Sequence, residues 1–220
     1  MAGTLYIVST PIGNLADITF RAVETLKGVD LIAAEDTRHT KILLDRYDIK
    51  KPMTSYFEHN KIRKTEYLLE VLSQGKSVAL VSDAGTPGIS DPGYSVIRSC
   101  IEKGFPVVPI PGPTAFVAAL TASGKPTDSF TFEGFLSNKS TRRKNELKKL
   151  KEENRTVVLY ESPHRIEKLL LDLLEIYGDI EVVVAREITK KFEEIRREKV
   201  SILAKVFSGK DARGEFIVII

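Results

Sequence analysis

Short apolar runs alternate with amphipathic stretches along the first half of the chain, and the alternation predicts strands followed by helices. Leu5–Ser9 reads as a strand that breaks at Thr10-Pro11-Ile12-Gly13-Asn14. Asp17 is placed to cap a helix with apolar positions Ile18, Val23 and Leu26 and a stop at Gly28. Val29–Ala34 is the next strand, ending on Glu35-Asp36, and a helix follows through Ile42, Leu43 and Leu44. Next come a helix around Tyr67–Leu72, the strand Ser77–Val81, a helix opened by Asp91-Pro92 and closed by Gly104, and the strand Pro106–Ile110. A small-residue helix over Gly112–Ser123 ends the series.

Turn residues thicken at Gly124-Lys125-Pro126-Thr127-Asp128, which places a boundary between lobes 1–124 and 125–220. Beyond it the pattern resumes with a strand at Phe130–Gly134, a basic helix over 140–153 and a strand at Thr156–Tyr160. A helix over 163–177, a strand at Ile180–Arg186 and an apolar inner strand at Glu215–Ile220 follow. The expected fold class is α/β: two α/β lobes, the first with a largely parallel sheet covered on both faces, and a cofactor cleft between the lobes.

Composition narrows the function. With 42% hydrophobic and 29% charged residues the 220-residue chain is globular rather than disordered. No apolar run approaches the ~18 residues of a membrane span, and Met1-Ala2-Gly3-Thr4 does not resemble a secretory leader, so a cytoplasmic protein with no membrane partner is expected. One cysteine and three scattered histidines offer no metal-ligand spacing, so no metal is expected. The basic surplus lies in the second half, where residues 139–155 carry eight Lys/Arg against three Glu. Such a cluster suits a polyanion; a solvated helix face with i,i+4 pairs, Glu146 among them, is the plainer alternative.

In an open α/β sheet, ligands bind where strands end. Three of those loops are rich in Gly, Pro and small polar residues: 9–14, 82–93 and 111–115. Each alone is an ordinary turn, but three on one edge point to a ligand approached by backbone groups. No G-x-G-x-x-G or G-x-x-x-x-G-K-[ST] is present, so a nucleoside-like ligand without phosphates fits better than a nucleotide. Asp83 is placed to serve a ribose or amino group of such a ligand, or simply to cap a helix. Glu35-Asp36, Tyr160-Glu161-Ser162-Pro163-His164-Arg165 and Arg186-Glu187-Ile188-Thr189-Lys190 put charged residues at further strand ends, positions suited to acid–base and anion-binding roles or to structural ion pairs.

T-P-I-G-N, A-A-E-D-T-R, S-D-A-G-T-P-G-I-S-D-P-G, P-G-P-T-A, Y-E-S-P-H-R, R-E-I-T-K-K-F-E-E and the terminal G-E-F closely resemble the tetrapyrrole-methylase superfamily. Within it they are most similar to the bacterial branch that methylates a cytidine 2′-oxygen of small-subunit (16S) ribosomal RNA. The resemblance runs in order from Leu5 to Ile220 and departs at Ile188, where the branch usually has leucine. It implies a homodimer that takes S-adenosylmethionine between two α/β lobes and methylates a decoding-centre cytidine in the small ribosomal subunit. By position it assigns cofactor contacts to Pro11, Asp83, Ala84, Gly85, Thr86, Thr114 and Ala115 of the first part of the chain, with Tyr160 and Gly214 from the second.

A 2′-hydroxyl is a weak nucleophile that needs its proton weakened or removed. Lys190 or Arg165 is expected to do the first, and Glu161 or Asp36 the second. RNA contacts are expected at Arg38, Arg142, Arg143 and Lys144. The alternative is a tetrapyrrole-precursor C-methyltransferase on the same lobes. A non-catalytic ribosome-binding protein has no use for three converging Gly/Pro loops.

Overall fold

The computed structural model describes residues 2–209 and 212–220; Met1, where the leader reading begins, Lys210 and Asp211 lie outside the described residues. The chain forms two compact units, Met1–Thr114 and Ala115–Ile220.

The first unit contains β1 (Leu5–Val8), α1 (Phe20–Gly28), β2 (Leu31–Ala34), α2 (Thr37–Arg46), β3 (Met53–Ser55), α3 (Lys61–Ser73), β4 (Val78–Val81), α4 (Tyr94–Glu102) and β5 (Val107–Ile110). Its five strands are all parallel, in the order β3-β2-β4-β1-β5. Successive side chains of a strand face opposite ways, and both ways are apolar here. Leu5, Ile7, Val78 and Leu80 pack on Leu68 and Leu72 of α3 and Val96 and Cys100 of α4. Val8, Ala79 and Val81 pack on Ala22 and Leu26 of α1 and Leu44 of α2.

Local chemistry corrects two expectations. Thr19, not Asp17, caps α1, its hydroxyl accepting from the Ala22 N–H at 3.1 Å. Asp17 instead ends a single 3₁₀ turn that Asn14 caps. The helix expected from Asp91-Pro92 starts only at Tyr94.

The second unit contains α5 (Ala115–Thr121), β6 (Phe130–Phe135), α6 (Ser140–Leu150), β7 (Thr156–Glu161), α7 (Ile166–Tyr177), β8 (Glu181–Arg186), β9 (Glu194–Lys199), α8 (Val200–Val206) and β10 (Phe216–Ile219). The turn-rich segment 124–128 lies inside this unit, because α5 packs on its sheet through Ala119 and Leu120. The order is β6-β7-β10-β8-β9. β6 and β7 pair parallel, whereas β10 pairs antiparallel with both β7 and β8. The second sheet is therefore mixed, with the expected inner strand β10 at its centre. One face carries α6, α7 and α8 and the other carries α5. Among the described residues, no helix is long and apolar enough to cross a membrane.

Candidate functional site

In the first unit β1 and β4 are neighbours, yet α1 follows β1 to one face while α4 follows β4 to the other. The connections diverge and leave a crevice at the carboxyl ends, the usual ligand position of open α/β sheets. Thr10 and Gly85 close its floor through an isolated antiparallel bridge. The Thr10 hydroxyl also donates to the Ser82 carbonyl at 3.1 Å. Gly85 has φ +77°, a conformation that favours glycine. A Cβ on Gly112 would stand 2.9 Å from Cβ of Ser9, so only glycine lets those two loops close up. A chain of hydroxyls, Ser9 to Thr86 at 2.8 Å and Thr86 to Thr114 at 3.0 Å, fastens the loops after β1, β4 and β5 together. The sequence pointed to Thr86 and Thr114; Ser9 and Thr10 emerge only from the fold.

Toward β2 the edge is acidic. The Asp36 N–H donates to Asp83 Oδ1 at 3.0 Å, and the Asp83 N–H donates to Glu35 Oε2 at 3.3 Å. Burial pushes the Glu35 carboxyl above its ordinary pKa, and the nearby Asp83 charge adds to the rise against the Asp83 N–H. Asp36 goes the other way: hydrogen bonds from the Arg38 side chain and backbone hold it well below the usual carboxylate range. Asp36 also caps α2, accepting from the Arg38 N–H at 2.8 Å. Its proton affinity is thus low, and Glu35 is the carboxylate of this edge better suited to take a proton. Arg38 is exposed but forms a two-point pair with Asp36.

A recess of about 160 Å³ opens beside the crevice, between Thr10, Pro11, Ser82 and Asp83 on one side and His39, Thr40, Ile42 and Leu43 of α2 on the other. The Thr40 hydroxyl is buried without a hydrogen-bond partner among the described residues. Loops 9–14, 82–93 and 111–114 hold no Lys or Arg. This donor set, hydroxyls, carbonyls and carboxylates, suits a ligand that is cationic and free of phosphate.

The second unit brings its nominated residues to one sheet edge, where Phe216 is in register with both Glu161 and Arg186. Glu161 is 2% exposed. Burial pushes its pKa up against the opposing pull of the Ser162 N–H and of the Arg165 and Arg143 charges. Arg165 Nε lies 3.2 Å from Glu161 Oε1, off the hydrogen-bond line, and its Nη2 donates to the Leu136 and Ser137 carbonyls. Both residues thus tie β7 to the loop before α6. Tyr160 packs its ring on Phe132 and Phe135, and its hydroxyl accepts from the Phe116 N–H at 3.3 Å.

Lys190 donates to Glu187 at 2.9 Å and to Glu215 at 2.8 Å. Burial alone would lower its pKa; the two carboxylates reverse that and raise it, so it remains a paired cation. Gly214 packs on Glu187, whose Cγ would lie 2.4 Å from an added Cβ. Glu187 and Thr189 have φ +49° and +68°.

The basic helix departs from its expected role. Arg143 is 3% exposed and its guanidinium is bound to Asp172 of α7 at 2.6 Å, so it is a core ion pair and is withdrawn as an RNA contact. Lys144 reaches Glu175 at 2.6 Å, and Lys151 donates to the Ile176 carbonyl at 2.6 Å near the end of α7, where the helix dipole favours cations. Arg142 is exposed and pairs with Glu146 four residues on.

A family model described as Tetrapyrrole (Corrin/Porphyrin) Methylases matches residues 4–204. The chain is 51% identical over 219 residues to the ribosomal RNA small subunit methyltransferase I of Synechocystis, covering 99% of this chain and 78% of that protein. It is 50% identical over 218 residues to the protein of the same name from Thermotoga maritima, covering 99% and 98%. Among solved structures, a cobalt precorrin-4 methyltransferase of cobalamin biosynthesis superposes with TM-score 0.74 at 19% identity, covering 98% of this chain and 93% of that one. A uroporphyrin-III C-methyltransferase from Thermus thermophilus complexed with S-adenosylhomocysteine gives 0.69 at 16%, covering 99% and 97%. At those identities the structures share the fold.

Proposed function

The chain belongs to the tetrapyrrole (corrin/porphyrin) methylase family, and from that membership we propose that it methylates small-subunit ribosomal RNA with S-adenosylmethionine, on a ribose 2′-oxygen of a decoding-centre cytidine. The observation that carries the acceptor class is the contrast in likeness: about half of all positions match the ribosomal RNA enzymes over nearly the whole chain, against under a fifth for the precorrin enzyme. The same contrast disfavours the tetrapyrrole-precursor reading. S-adenosylmethionine carries a sulfonium and an ammonium and no phosphate, which agrees with loops holding hydroxyls and carboxylates and no Lys or Arg.

When bound, the cofactor supplies an electrophilic methyl group. The chain's task is to hold the donor and the hydroxyl in line and to take the hydroxyl proton. We assign cofactor contacts to Pro11, the main chain of Asp83, Ala84, Gly85, Thr86 and Thr114 of the first unit, and to Ala115, Tyr160 and Gly214 of the second. Proton acceptance we assign to Glu35, since Asp36 is committed to Arg38 and Glu161 is buried against Arg165. Lys190 stands as an acceptor-side cation, and Arg38 and Arg142 as exposed RNA contacts. Action in the cytoplasm as a homodimer is part of the same proposal.

Labelled cofactor incubated with unmodified small subunits, followed by mass-spectrometric mapping of the modified nucleotide, tests it. Transfer to one cytidine ribose is expected. Transfer to uroporphyrinogen but not to the subunit would reverse the assignment.

A further inference from the structure

Thr40 is the third residue beyond Thr37 on α2, 3% exposed, and its hydroxyl meets no partner among the described residues. An unpaired buried hydroxyl costs about 1–3 kcal/mol, so a side chain kept in that state is explained by a ligand that completes it. The recess it lines is about 160 Å³, close to the roughly 150 Å³ that accepts one benzene ring. A single six-membered ring fits. Pro11, Ile42 and Leu43 supply apolar walls, and Asp83 stands on the side facing α2. The Asp83 carboxylate is oriented by the Asp36 N–H on Oδ1, and Oδ2 has no hydrogen bond among the described residues.

We infer that this recess receives the unstacked pyrimidine ring of the acceptor nucleotide, with Asp83 accepting from an exocyclic amino group and Thr40 bonding a further polar atom of the ring. The inference rests on the RNA-methylation reading and adds to it the residues that recognise the base. A carboxylate accepts from cytosine N4 but faces the O4 of uracil with like partial charge, so the site distinguishes the two pyrimidines. It also divides the labour of the β4 loop. The Asp83 side chain, directed toward β2, serves the acceptor, whereas Gly85 and Thr86, joined to the loops of β1 and β5, serve the cofactor. Extraction of a base from its stack accompanies such a pocket.

Methyl transfer to small subunits carrying cytidine or uridine at the mapped position, together with calorimetry of S-adenosylhomocysteine, tests the inference on Thr40→Val, Thr40→Ser and Asp83→Asn. Valine keeps the shape of threonine and loses no internal partner, so Thr40→Val should unfold at no lower temperature than the wild type. Its KM for cytidine subunits should rise about tenfold, the value of one hydrogen bond to a ligand, with S-adenosylhomocysteine affinity unchanged. Thr40→Ser should recover most of the loss. Asp83→Asn should narrow the preference for cytidine over uridine. Wild-type KM in Thr40→Val overturns the inference, and a selective loss of S-adenosylhomocysteine binding in that variant gives the recess to the cofactor instead. A wild-type protein that methylates no small subunit overturns the RNA reading, and this inference with it.

Discussion

Thr10 and Gly85 exchange two main-chain hydrogen bonds, 2.8 Å and 3.0 Å long, although they lie 75 residues apart on loops of different strands. The exchange fixes the spacing of the β1 and β4 loops without any side chain between them, which requires the left-handed backbone of Gly85. Gly85→Ala should cost about 1–2 kcal/mol from the left-handed conformation alone. It should also weaken S-adenosylhomocysteine binding by calorimetry. Wild-type affinity in a folded Gly85→Ala protein would place the cofactor elsewhere.

In its proposed role as proton acceptor, Glu35 links pH to both stability and turnover. Its folded-state pKa stands above the unfolded value, so the folded state holds the proton more tightly. Its contribution therefore favours folding at low pH and is lost as pH rises from the unfolded to the folded value. As proton acceptor it works only when ionised, so the transfer rate should climb through that same raised pKa. Glu35→Gln keeps an acceptor for the Asp83 N–H and removes the charge. It should leave folding intact or slightly improved near neutrality, lower kcat by at least a hundredfold and abolish that acid limb in a pH–rate profile.

Arg143 and Asp172 should behave as a structural unit. Arg143→Met strands a buried carboxylate and should cost roughly 3–5 kcal/mol in denaturant unfolding; adding Asp172→Leu should return most of it. Arg142→Ala, at an exposed pair, should cost no more than about 1 kcal/mol. If Arg142 meets RNA phosphate, that change should lower the log–log salt slope of subunit binding by up to ~0.9 on duplex.

Thr189 is β-branched, has φ +68° and buries an unpartnered hydroxyl. Thr189→Gly should raise stability by about 1–2 kcal/mol, since the left-handed conformation no longer strains the residue. Slower methyl transfer in that more stable protein would mark the 187–190 loop as strained for function. Unchanged transfer would make the strain incidental.

Legibility in the sequence followed how locally each feature is encoded. Four successive apolar residues, Phe216–Ile219, announce an inner strand, and β10 is one. β9 spells Glu-Ile-Arg-Arg-Glu-Lys, whose charges are tolerated because it pairs only with β8 at the sheet edge; no apolar pattern reveals it. The Gly/Pro loops were readable as a set because each directly follows a strand. The burial of Arg143 was not, since it depends on Asp172, 29 residues away on another helix. Glu35 and Asp36 are adjacent and chemically alike; only the fold separates a desolvated carboxyl from one bound to arginine. Thr40 resembles any helical threonine until its hydroxyl is found without a partner.

The placement of β10 bears on how the protein is made. In the second sheet β7 and β8 never touch in the pairing order; β10, synthesised after both, lies between them. A ribosome that has finished Arg186 has delivered the apolar rows Val157–Leu159 and Val182–Ala185 with their inner edges open. Those edges stay available to neighbouring nascent chains until Phe216–Ile219 emerges, at about 5–20 residues per second. The all-parallel first sheet likewise receives β4 between β1 and β2, but it is complete by Ile110. Message truncation or slow codons upstream of Phe216 should therefore yield a protein whose first half is folded and whose second half is prone to aggregate.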